Sequence, residues 1–249
     1  MLNEIECKSS KSVDAIVLGI EIDRILIFVE TKAEIEAFRQ SNFYYFEFIN
    51  RNLEQGTVSN IFFLKNLALE LIWIENQELA SRYSSQTEMN IVARTQWQQN
   101  QAIPFGFVLR YVSSPQQLSR RRCHNSKENK INNSYTPSQI SFSHENLREL
   151  KEPACYLVPE SLTCESLLDS TSAIKQKLLF YQSRIGKLTN IQVTLNSSKP
   201  LSNTITLLST LNLIKIKQGN YPKLILEFDN GSRQQLSSQF STIPLTISH

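Results

Sequence analysis

The sequence predicts an α+β fold made of two successive strand–helix–strand–strand–strand modules, with helices inserted after the first and a long polar loop dividing the chain. Three observations predict it. The stretch Gln55–Glu75, QGTVSNIFFLKNLALELIWIE, holds two apolar runs, Ile61–Leu64 and Leu67–Ile74, separated by the polar pair Lys65–Asn66, which is the pattern of a β-hairpin. Upstream, IEIDRILIFVE (20–30) is rich in β-branched residues and runs straight into a capped helix signal. The same order of elements then recurs in the second half, although residue identity between the halves is slight.

In the first half, Arg24, Leu26 and Phe28 fall on one face of the opening strand, and Asp23, Ile25, Ile27 and Val29 on the other. Both faces are mainly apolar, so the strand is expected to be covered on each side. Thr31 as N-cap and Glu34 three residues later form a capping box for a helix over Lys32–Gln40. Phe43–Ile49 returns as strand, Arg51–Gly56 is a polar connection, and the hairpin supplies two further strands, with Glu70 as an acid inside the second. Over Gln77–Asn100 the apolar period changes: Ala80, Tyr83, Met89, Val92, Ala93 and Trp97 fit one or two amphipathic helices broken around Ser84–Gln86. Pro104 opens the apolar strand PFGFVLRYV.

Ser113–Asn146 is dominated by Ser, Asn, Gln, Arg and Lys. Such a stretch buries too little surface to offset its ordering entropy and reads as a long loop or mobile linker. The chain therefore divides into a first module with its helical insertion (1–112), a polar loop (113–153) and a second module (154–249). In the latter, Ala154–Val158 restores order, Ser172–Gln182 has helical spacing, and Leu188–Leu195 alternates as a strand. Ser202–Leu211 is a short helix candidate. Leu213–Lys217 and Leu224–Phe228 are strands, Asp229-Asn230-Gly231 is a turn signal, and Thr242–Ser248 closes the module as a strand.

Composition narrows the function. At 249 residues, 41% apolar and 20% charged, the chain describes an ordinary globular protein able to bury a real core. A net charge of +3 is too small to imply a nucleic-acid partner, and Arg120-Arg121-Arg122 lacks aromatic interleaving, so it reads as a solvated loop. No window has the roughly 18 uncharged apolar residues of a membrane span. Glu4, Glu6 and Asp14 interrupt any secretory apolar region, and Cys7, Cys123, Cys155 and Cys164 form no CxxC pair, which fits reduced thiols in a cytoplasm. With six glycines there is no phosphate-cradling GxGxxG or Walker-type loop. The histidines, His124, His144 and His249, lie in the loop or at the end of the sequence, so no Ser/His/Asp triad can be drawn.

The residues IDRILIFVE (22–30), EQGTVSNIFFLKNLALELIWIE (54–75), Arg94 with Trp97, PFGFVLR (104–110) and IPLTI (243–247), in the doubled order of elements, resemble the glyoxalase-like branch of the vicinal-oxygen-chelate superfamily. This resemblance implies two curved half-barrels around a cavity, with ligands projecting from the first and last strand of each module. A metal-dependent member would carry His where Arg24 stands and Glu where Glu70 stands. The second module would supply another His near Asn190 and a further acid, for which Glu227 is a candidate, although it falls on the third strand of that module. Arginine stays protonated and offers no lone pair, so Arg24 would repel a divalent cation. An Asn190 amide oxygen is a weak ligand for zinc or nickel beside imidazole. No cofactor is therefore expected, and the donor set argues against a divalent metal.

Glu70 shares its face with Ala68, Ile72 and Ile74, where an isolated charge would be costly. It is read either as a general base or substrate anchor, or as the partner of Arg24 in an internal salt bridge. Arg24, Asn190, Glu227, Trp73 and Arg94 are the candidate ligand-binding residues, against the plainer readings of Trp73 as core and Arg94 as part of an exposed helix face. The preferred reading is a non-catalytic small-molecule-binding protein. The alternatives are a metal-independent lyase or isomerase with Glu70 as base, and a scaffold whose polar loop recruits a protein. Oligomeric state and ligand identity stay open.

Overall fold

The computed structural model describes residues 19–41, 46–111, 144–164, 166, 186–197, 199–229, 237–240 and 243–248. Most of the polar loop with Arg120–Arg122, Cys7, Cys123, His124, the helix expected over Ser172–Gln182 and the Asn230-Gly231 part of the turn signal lie outside the described residues.

The opening strand β1 (Ile20–Phe28) is followed by α1 (Lys32–Gln40), where Thr31 and Glu34 close the capping box and Ile35 and Phe38 turn into the core. Strands β2 (Phe46–Asn52), β3 (Thr57–Phe63) and β4 (Ala68–Ile74) complete the first unit. Gly56 makes the β2–β3 turn at φ +65°, against the start of the next helix: a Cβ there would lie 2.5 Å from the Asn76 carbonyl. The helical insertion consists of three pieces, α2 (Gln77–Thr87), α3 (Ile91–Thr95) and α4 (Trp97–Asn100). The first break comes at Glu88, which takes a left-handed φ of 65°, so α2 runs on through the Ser84–Gln86 break expected from sequence.

After β5 (Phe105–Tyr111) and α5 (His144–Arg148), strand β6 (Ala154–Leu157) adds itself parallel to β5. The first sheet thus has six strands in the order β2-β3-β4-β1-β5-β6. A boundary before Ala154 assigned this strand to the second module; its hydrogen bonds place it in the first sheet. Gly106 permits the close approach, since a Cβ there would meet the Ala154 carbonyl at 2.5 Å.

The second sheet contains β7 (Leu188–Leu195), β8 (Lys215–Gln218), β9 (Lys223–Phe228), β10 (Ser237–Gln239) and β11 (Leu245–Ser248), ordered β10-β11-β9-β7-β8. The helix α6 (Asn203–Thr210), capped by Ser202, carries β7 over to its parallel neighbour β8. The sequence order begins as in the first unit, with strand, helix and then strands, but four strands follow α6 where three follow α1, and the pairing differs. In the first sheet the opening strand joins the fourth strand in parallel, whereas here it joins the very next one. Hydrophobic pattern records which residues face a core and not which edge a strand joins, so the expected repetition of modules holds only for the opening run of strand, helix and strands, with the extra strand β10 and a different pairing in the second sheet.

One apolar core lies between the sheets. It unites Ile25, Ile27, Leu69 and Phe107 of the first sheet with Val193, Leu226 and Ile247 of the second, together with Phe38 from α1 and Leu208 from α6. The far face of the first sheet has its own cover, where Leu26, Phe28 and Val108 pack with Ile91 of α3 and Val158. Both faces of β1 are buried, as its apolar pattern requires. Among the described residues no helix is long and apolar enough to cross a membrane.

Candidate functional site

The site begins with an irregularity in β1. Against β5, Ile22 is opposite Leu109 and Arg24 is opposite Val108, so Asp23 is an extra, bulged residue. Strict alternation put Asp23 and Arg24 on opposite faces. The bulge resets the alternation, and the two side chains meet on the same side, with Arg24 Nε 3.2 Å from Asp23 Oδ2. That side also carries Glu70, because β1 and β4 run parallel with Leu26 level with Glu70.

Arg24 Nη1 lies 3.3 Å from Glu70 Oε2, and both side chains are 9% exposed. The other Glu70 oxygen accepts a 2.7 Å hydrogen bond from the Ser59 hydroxyl on β3. Arg24 Nη2 donates to the Leu162 carbonyl at 3.1 Å, and the Cys164 backbone N–H donates to both Asp23 oxygens at 3.0 and 3.1 Å. A short segment beyond β6, with its 3₁₀ turn at Glu160–Leu162, therefore closes over the charges. Burial alone would lower the Arg24 pKa, but the charge of Glu70, with that of Asp23 adding to it, holds the guanidinium above its ordinary value. Burial, reinforced by the Glu70 charge, pushes the Tyr156 phenol up. The Cys164 thiol is pushed up mainly by burial, so it is protonated and a poor nucleophile.

Chemically, every charge in this cluster is already engaged by protein groups. Each Glu70 oxygen has a protein partner, both Asp23 oxygens accept the same N–H, and two of the three guanidinium nitrogens face carboxylates while the third has a carbonyl. Arg24 Nε is close to Asp23 but poorly aligned for a hydrogen bond, so that contact is mainly electrostatic. A metal does not fit this donor set: a cation stands at its centre, and Arg24 has no lone pair to give. Among the described residues, no group of three or more His, Cys, Asp and Glu could hold a metal ion.

The remaining candidates go elsewhere. Trp73 lies on the opposite face of β4 from Glu70, in the core between the sheets, with Lys32 Nζ 5.5 Å from its ring centroid. It cannot line a pocket with Glu70. Arg94 is neither exposed nor near the cluster. It is fully buried, donating to the carbonyls of Ile103 at 2.8 Å, Glu152 at 2.9 Å and Glu149 at 3.2 Å, and burial lowers its pKa to about 10. It ties α3 to the segments before β5 and β6. Asn190 and Glu227 do meet, through a 2.7 Å hydrogen bond from Nδ2 to Oε2, but they do so on the outer face of the second sheet.

Arg24 and Asn190 nonetheless hold equivalent places. Each follows a bulge, Asp23 in β1 and Thr189 in β7, on a strand with one parallel and one antiparallel neighbour. Two residues further along, Leu26 is level with Glu70 and Gln192 is level with Lys215. The second sheet thus carries a lysine where the first carries its buried acid. Sequence reading missed Asp23, Ser59 and the Leu162–Cys164 closure. Only Asp23 left a signal, as a charge on an otherwise apolar strand face.

The structure also contains a groove of about 430 Å³ at one end of the second sheet, lined by Tyr221, Lys223, Phe240, Pro244 and Thr246 together with Trp97 from α4. No protein-family model and no curated protein matches this sequence. Among solved structures, a hypothetical protein from Staphylococcus aureus is similar over 92% of this chain and 98% of its own, with 12% identity and a TM-score of 0.48.

Proposed function

We propose that this chain is a glyoxalase-like protein of the vicinal-oxygen-chelate type that binds a small molecule without catalysing a reaction and without a bound metal. The observation that carries this reading is that the charges of the Asp23–Arg24–Glu70–Ser59 cluster are engaged by one another and by neighbouring protein groups. A general base must reach the proton it abstracts. Glu70 instead spends its oxygens on Ser59 and Arg24, beneath a closing segment. The parallel β1–β4 pair with β3 and β2 alongside is the part of the fold that supports the likeness most directly.

Elemental analysis of the protein, as purified and after incubation with excess zinc, nickel or ferrous iron followed by desalting, tests the reading. Substoichiometric metal in every sample is the expected result. One equivalent of retained metal that disappears in Glu70→Gln would replace this proposal with a metalloenzyme.

A further inference from the structure

We propose that the groove at the end of the second sheet is the ligand site, and that it takes a small aromatic carboxylate. This rests on the reading of the chain as a small-molecule-binding protein, but places the ligand away from the Arg24–Glu70 cluster. The groove's volume of about 430 Å³ falls within the roughly 300–1,000 Å³ typical of small-molecule sites. Its lining includes the aromatic residues Trp97, Tyr221 and Phe240, together with Pro244. Tyr221 is 79% exposed, a large aromatic surface held out beside the opening.

The polar groups are few and converge. Lys223 is on β9 two residues before Ile225, and Thr246 on β11 is level with Ile225. Thr194 on β7 is level with Lys223. All three side chains therefore rise from the same, outer face of the second sheet, at the end where the groove lies. Among the described residues Lys223 has no carboxylate partner, in contrast with Arg24, which lies against both Glu70 and Asp23. The Thr246 hydroxyl is buried yet makes no hydrogen bond, which is costly unless something supplies a partner.

An unpaired ammonium, an orphaned hydroxyl and three aromatic rings together select a planar ring bearing an anionic acceptor. The carboxylate would accept a hydrogen bond from Lys223 Nζ and, with Thr246 turned about χ1 so that its enclosed hydroxyl faces the groove, a second from Oγ1, and the ring would stack against Tyr221 and Trp97. Gly219 lets the Thr194 methyl group pack close against the backbone, since a Cβ there would come 2.4 Å from it.

Titration calorimetry of the full chain with indole-3-acetate, phenylacetate and benzoate, and with the uncharged indole-3-acetamide, tests the proposal. Saturable binding of at least one acid is expected, with the amide about tenfold weaker or more, since losing a charge-assisted hydrogen bond costs at least that much. Lys223→Met and Tyr221→Ala should each weaken the acid about tenfold, and Thr246→Val about threefold, with circular dichroism unchanged. Ser59→Ala, in the buried cluster, should leave affinity within about twofold. No binding of any acid at millimolar concentration, equal affinity for acid and amide, or an undiminished affinity in folded Lys223→Met overturns the groove assignment. Binding abolished by Ser59→Ala but not by Lys223→Met moves the ligand to the cluster and leaves the small-molecule-binding reading standing. The metal analysis fails or succeeds independently of all these results.

Discussion

Arg24 and Glu70 face each other across the parallel β1–β4 pair, Nη1 to Oε2 at 3.3 Å, with both side chains nine-tenths buried. Taking two charges out of water costs several kcal/mol per ion, so the pair is sustained by its surroundings: Ser59 on one carboxylate oxygen, the Leu162 carbonyl on the guanidinium, and Asp23 beside it. The cluster specifies which segment covers this face of the sheet more than it adds net stability.

That arrangement predicts unequal costs for its two halves. Glu70→Met leaves Arg24 beside Asp23 and the Leu162 carbonyl, whereas Arg24→Met leaves the buried Glu70 without its cation and Asp23 with only the more distant Arg110 Nη1 at 4.0 Å. Each single variant should lose about 3–5 kcal/mol in urea unfolding, with Arg24→Met at the upper end. The double variant should lose less than the sum of the two singles by about 1 kcal/mol or more, the mark of coupled neighbours. Additive losses would show that the two side chains do not act together.

Arg94 predicts a different kind of loss. Its three acceptors are backbone carbonyls from Ile103, Glu149 and Glu152, so it works as a clamp between chain segments. Arg94→Met should cost about 3 kcal/mol or more by leaving buried carbonyls unsatisfied. Arg94→Lys should recover little of this, since one ammonium cannot reproduce the spread of the guanidinium fork. Full recovery in the lysine variant would reduce Arg94 to a buried charge without a geometric role.

The contrast between these two arginines shows what the sequence makes legible. Arg24 and Glu70 could be related in advance because the resemblance placed both on one strand face of a shared cavity, and in the parallel β1–β4 pair they stand two positions apart, with Arg24 opposite Ala68 and Leu26 opposite Glu70. Arg94 could not, since its acceptors are carbonyls from segments 9, 55 and 58 residues away, and a carbonyl has no residue type to read. Asp23 was misplaced for a related reason: a one-residue bulge changes the face without changing the composition. The first unit was readable because its apolar runs are long and its turns are marked by Gly56 and Lys65–Asn66. In the second half, β8 and β11 are four residues each, and pattern gives such short strands no preferred neighbour. The groove had no signal at all, because Trp97 and Tyr221 stand 124 positions apart, on α4 and just before β9.

Glu34 predicts a pH signature. Its carboxylate accepts the Thr31 N–H at 2.8 Å in the capping box, but burial, the largest influence, raises its pKa above the ordinary 4.5. The folded state therefore binds this proton more tightly than the unfolded state. Stability from this group is fully present below pH 4.5 and is lost as pH rises through the raised folded value. Wild type minus Glu34→Gln should accordingly fall across that window and level off above it, as read from urea midpoints at a series of pH values. A difference that rises with pH would mean that the hydrogen bonds to Thr31 outweigh the burial.

Asn66 in the β3–β4 turn predicts how the two sheets are joined at their surface. Its side-chain amide imitates a strand, with Nδ2 donating to the Leu188 carbonyl at 3.1 Å and Oδ1 accepting the Leu188 N–H at 2.9 Å. Leu188 is the first residue of β7, one position before the Thr189 bulge, and this pairing fixes where that strand begins relative to the first sheet. Both bonds are exposed, so their loss lets water replace them, and Asn66→Ala should cost only about 1–2 kcal/mol. Asn66→Asp should cost about as much as alanine, since a carboxylate still accepts the N–H but cannot donate to the carbonyl. Amide exchange gives the sharper readout: Leu188 should exchange faster in Asn66→Ala while the core amides of β1 keep their protection. Unchanged exchange at Leu188 would show that β7 is positioned by the shared apolar core alone.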